Sequence, residues 1–110
     1  MTERLRNLEN LPGAELILPG VEDLKNGKGN SIGALLIAIA STRLATAGLD
    51  FPKQNLLPEP ELTLYDRLQH ERDDAYAYYN ALLDSLNSFC HALELDYKSR
   101  RNKDTDEISL

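Results

Sequence analysis

The sequence predicts an all-α fold, a small helical bundle with a buried central helix, a long C-terminal helix and a polar disordered tail. Three observations carry this. Residues 31–47, SIGALLIAIASTRLATA, hold one charged side chain, Arg43, and no polar side chain at all between Ile32 and Ala40. Residues 61–110 contain neither Gly nor Pro, and between Asp74 and Tyr97 the apolar residues recur in steps of three and four. The chain of 110 residues is long enough for one domain with a real core that needs neither disulfides nor metal.

The apolar run is too short for the roughly 20 residues a membrane-spanning helix needs, so a buried helix is expected. Asn30 or Ser31 is placed to cap its start, and Gly48 to end it in the left-handed conformation. At 100° per residue Ile32, Leu35, Leu36 and Ile39 form a ridge of large side chains, and Gly33, Ala34, Ala38, Ala40, Ser41 and Ala45 form small surfaces around it. The ridge extends onto Arg43. Its stem should lie along the core and its head should reach water or a carboxylate, a pair with an acid of the 61–74 region being one option and a ligand another.

Upstream, Leu5 and Leu8 suit a short N-terminal helix or arm within residues 1–17. Leu11-Pro12-Gly13 and Leu18-Pro19-Gly20 read as two turns, with one or two helical turns from Val21 to Asn26. The loop Gly27, Lys28, Gly29, Asn30, Ser31 has the general makings of an anion site: glycines for close backbone approach, a lysine, and the amides of the helix that follows. It matches a phosphate-binding P-loop poorly, because six residues separate Gly20 from Gly27 and Gly29 stands where a metal-holding Ser or Thr belongs.

Leu49 to Glu59 reads as an ordered connection that lays Phe51, Leu56 and Leu57 on the core. Pro60 suits the first position of a helix. One continuous helix from Pro60 to Tyr97 would be about 57 Å long, so a break across Gln69 to Asp73 is favoured, with Asp73 or Asp74 starting the second helix. Leu64, Leu68, Ala75, Tyr79, Leu82, Leu86, Phe89 and Leu93 nevertheless keep one phase across that break. Tyr76, Leu83, Cys90 and Tyr97 flank this stripe at steps of seven, and Ala77, Ala81, Ser88 and Ala92 lie on the other side.

Charge is concentrated here. Glu61, Asp66, Glu71, Asp73, Asp74, Asp84, Glu94 and Asp96 face only Arg67 and Arg72, which accounts for the whole net charge of -6. The acidity argues against nucleic acid and anionic membranes as general partners. Residues 1–97 are expected as one helical domain and 98–110 as a charged flexible tail. Lys98 and Arg100 suit a helix C-terminus, and Asp104, Asp106 and Glu107 directly after the cluster from Lys98 to Lys103 argue against a nucleic-acid contact. A lone cysteine and a Met1 end without a signal peptide point to the cytoplasm.

No catalytic constellation is visible. Cys90 and His91 are neighbours and so diverge by about 100° on a helix, while His70, Glu71, Asp73 and Asp74 lack any paired metal motif. No metal and no cofactor is expected, and no motif ties the chain to a family. The expectation is a non-catalytic protein–protein interaction module, such as a regulator, adaptor or small subunit, that forms a homodimer or meets a protein partner through Tyr76, Tyr79, Leu83, Leu86, Cys90 and Tyr97. The alternative is a small anionic-ligand-binding helical protein using Gly27 to Ser31 and Arg43.

Overall fold

The computed structural model describes residues 8–109, with side chains described through Ser99. Among the described residues five helices are complete, in the order α1 (Ala14–Lys25), α2 (Ile32–Ile39), α3 (Ser41–Thr46), α4 (Pro60–Glu71) and α5 (Ala75–Ser109). A 3-10 turn, Lys53–Asn55, lies between α3 and α4. No strand occurs among the described residues, so the fold is an all-α bundle.

The apolar run forms the centre of the core as expected. Ala34, Leu35, Leu36 and Ile37 are fully buried on α2, which packs against α1, α4 and α5. Ser31 caps it: the Ala34 N–H donates to Ser31 Oγ at 3.1 Å. The run is two helices, however. Ala40, at φ -108° and ψ 26°, interrupts the regular geometry between α2 and α3, and the chain leaves α3 through Gly48 at φ 94°. Neither Gly nor Pro marks that interruption, so the pattern gives no signal for it.

The first segment differs more. Leu11-Pro12-Gly13 is a turn, but Leu18-Pro19-Gly20 lies inside α1, which runs unbroken from Ala14 to Lys25. Pro19 lies on the exposed side of α1, where water can satisfy the carbonyl one turn earlier that its missing N–H leaves unpaired. Gly20 lies on the buried side, against the backbone of α2 at Gly33. The Asn55 side chain then donates to the Leu24 carbonyl at 2.7 Å, tying the 3-10 turn to the end of α1.

The break between α4 and α5 falls at Arg72, Asp73 and Asp74. Arg72 is extended (φ -153°, ψ 155°), and its guanidinium clamps Asp74 with Nε–Oδ1 at 2.6 Å and Nη2–Oδ2 at 3.3 Å. Asp74 precedes Ala75, and its carbonyl accepts from the Tyr78 N–H. The two helices therefore double back as an antiparallel hairpin, with Tyr65 and Tyr79 edge to face at 5.3 Å between ring centres. Leu64 and Leu68 from α4 and Leu82, Leu86, Phe89 and Leu93 from α5 close the core. The charged stretch 98–110, expected as a flexible tail, continues in helical backbone through Ser109. The expected N-terminal arm, with Leu5, begins outside the described residues, while Leu8 is buried on the core.

Candidate functional site

Two polar sites and one helix face were singled out by the sequence, and the structure separates them. The loop Gly27 to Ser31 opens onto a cleft lined by Lys28, Asn30, Ser31, Thr63, Asp66, Arg67 and Glu71. Several of its groups already have partners within the fold. Arg67 donates from Nη1 to the Asn30 carbonyl at 2.5 Å and from Nε to Glu71 at 3.1 Å. The Ser31 hydroxyl caps α2, and the Lys28 N–H donates to the Asp23 carbonyl at 2.7 Å. Gly29 is buried against the Asn55 carbonyl and Leu57, where a Cβ would lie 2.5 Å from that oxygen. Lys28 and Arg67 share the cleft with two carboxylates, so their field on an incoming anion is largely offset.

Arg43 does not join this loop. Its head forms a forked pair with Glu94 on α5, Nε–Oε2 at 2.7 Å and Nη2–Oε1 at 2.9 Å, with Nη1 reaching Asn87 at 3.5 Å. The expected acid of the 61–74 region is therefore replaced by one from the far end of the hairpin, because α3 runs beside α5. These hydrogen bonds hold the Glu94 carboxyl below its ordinary range and raise the already high Arg43 pKa. On one side of the pair lies an open apolar groove formed by Ile39, Ala40, Leu83 and Leu86, and on the other a shallow depression bounded by Thr46, Ala47 and Tyr97.

The face of α5 expected to meet a partner is divided. Leu86 and Cys90 are buried within the chain's own core, and burial pushes the Cys90 thiol pKa up. Tyr79, Leu83 and Tyr97 are half-buried, while Tyr76 stands 69% exposed. Leu62 on α4 at 67% and Leu95 on α5 at 55% are likewise exposed. His91, next to Cys90, faces solvent. His70 donates from Nδ1 to the Asp66 carbonyl at 2.8 Å, and that bond raises its pKa. Among the described residues no three of His, Cys, Asp and Glu gather closely enough to hold a metal ion.

Sequence reasoning missed Arg67 and Glu94. The spacing Arg67–Glu71 signals a helical i,i+4 pair, but nothing local signals that Arg67 reaches the loop before α2.

The fold defines this chain as an all-α bundle, and among the described residues no helix is long and apolar enough to cross a membrane. Comparison with family models, with curated proteins and with solved structures finds no match to it.

Proposed function

We propose that the chain is a non-catalytic protein–protein interaction module that associates with itself through the α4–α5 hairpin. The observation that supports this reading best is where exposed apolar bulk is left. Of the four large apolar side chains exposed among the described residues, Leu62, Tyr76 and Leu95 belong to the hairpin helices and Leu57 lies three residues before α4. The same helices carry the acidic excess, so a contact there combines tyrosine and leucine anchors with a charged rim, the usual anatomy of a protein interface. Cytoplasmic residence and a role as regulator, adaptor or small subunit belong to the same reading.

Sedimentation across a dilution series at two salt concentrations tests it. The expected result is a mass that rises toward a dimer with concentration and falls when Leu62 and Tyr76 are both replaced by serine. Both are exposed, so the double variant should keep the helical circular dichroism of the parent. A monomeric mass at every concentration would refute self-association.

A further inference from the structure

From the hairpin geometry we infer that the self-associated form exchanges helix α5: Arg72 to Asp74 straighten, α4 and α5 become one helix, and each α5 takes its place against the α2 and α4 of a second copy. This rests on the self-association proposed above and specifies how it occurs.

Four features converge on it. The hinge is only three residues long, and no Gly or Pro lies anywhere from Glu61 to Ser109, so every hinge residue can adopt helical geometry. The contacts that hold the bend are the exposed Arg72–Asp74 clamp and the Arg72 guanidinium 3.8 Å from the centre of the Tyr78 ring. Surface contacts of this kind resist straightening weakly.

The apolar phase also runs through the bend. Seven residues separate Leu68 from Ala75, and seven residues turn a helix by 700°, within about 20° of whole turns. A straight helix thus lines up Leu64, Leu68, Ala75, Leu82, Leu86, Phe89 and Leu93 on one side, although in the monomer the first two belong to a separate helix. It also aligns the exposed Leu62 and Tyr76 with Leu83 in a single row of sevenfold spacing.

Finally, the hairpin is symmetric about its own hinge. Tyr65 and Tyr79 lie seven residues either side of Arg72. In a straightened helix they stand about 21 Å apart within one chain. Two such helices, antiparallel about a twofold axis at Arg72, restore the same ring contact between copies. The packing of Leu64 and Leu68 on α2 stays within one chain, and their packing on α5 is kept across chains. Exchange therefore costs none of the packing of α5. It adds helical backbone hydrogen bonds at the hinge, against the entropy of joining two chains.

Asp73→Pro provides the decisive variant. Arg72 is already in the extended region that a following proline requires, whereas a proline in mid-helix opposes the straight form. The dissociation constant of the dimer should rise at least about a hundredfold. A dimer that survives Asp73→Pro with unchanged affinity overturns the exchange while leaving self-association standing.

The second measurement keeps the native hinge and so decides the matter even where the proline variant fails to fold. The substitutions Tyr65→Cys and Tyr79→Cys, in a Cys90→Ala background, provide two thiols that are joined by a short bismaleimide in the isolated dimer fraction. Links between chains support exchange. Links only within chains overturn it, and a monomer at all concentrations removes both the exchange and the association it depends on.

Discussion

Gly20 and Gly33 meet backbone to backbone where α1 crosses α2. A Cβ added at Gly20 would lie 2.5 Å from the Gly33 carbonyl oxygen and 2.7 Å from the Ala34 nitrogen, and one added at Gly33 would lie 2.5 Å from the Leu16 carbonyl oxygen. These neighbours are backbone and cannot swing aside. Gly20→Ala and Gly33→Ala should each destabilise the protein by roughly 3 kcal/mol, although alanine favours helices. Thermal unfolding by circular dichroism measures it, and a raised melting temperature in either variant would show that the helices can separate without loss.

The start of α2 depends on one hydroxyl. Ser31 Oγ takes the Ala34 N–H, in a helix that has neither an acidic residue in its first turn nor a basic one in its last. Ser31→Ala should therefore lower stability by about 1 kcal/mol, and Ser31→Asp should preserve it. Chemical denaturation of the three proteins, with unchanged slopes, provides the comparison.

Arg43 and Glu94 join α3 to α5 by two short hydrogen bonds, yet their side chains are 40% and 39% exposed. Solvent and salt screen such a pair, so a double-mutant cycle with Arg43→Ala and Glu94→Ala should give a coupling of about 0.5 kcal/mol that shrinks in high salt. Its pH dependence has a definite sign. Glu94 has a lowered pKa in the folded chain, so the stabilisation is complete above the ordinary glutamate value of 4.5 and is lost as pH falls through the folded value. Unfolding followed from pH 7 to pH 3 should show a smaller acid-induced loss in Glu94→Gln than in the parent.

How much of this could be read in the chain depends on whether the signal is local. The cap at Ser31 and the end at Gly48 follow from a few neighbouring residues and appear where spacing and polarity place them, while the break expected across Gln69 to Asp73 falls later, at Arg72 to Asp74. Pro19-Gly20 follows no local rule. A proline and glycine usually mark a turn, and only the approach of α2 explains why α1 carries a glycine there. The partner of Arg43 and the neighbours of Lys28 depend on which helices lie side by side, and charge patterning cannot distinguish Glu94 from the acids of residues 61–74. Likewise, the stripe expected to meet a partner mixes residues that the monomer buries, Leu86 and Cys90, with one it leaves outside, Tyr76.

Cys90 can report on the core because it is the lone cysteine and is buried in α5 beside Phe89. Burial raises its pKa, the main effect. The positive charge of Arg43 opposes that rise and Glu94 adds to it. Both concealment and the shortage of thiolate slow its attack on a disulfide reagent. The reaction should proceed through opening of the fold, so for a stability of about 5 kcal/mol the native rate should be some thousandfold below that of the unfolded chain. Gly20→Ala should accelerate it in proportion to its loss of stability, since the core opens as one unit. Ser31→Ala should accelerate it less, in keeping with its smaller cost. A native rate that ignores both substitutions would mean that α5 releases Cys90 by a local opening, with α1 and α2 still packed.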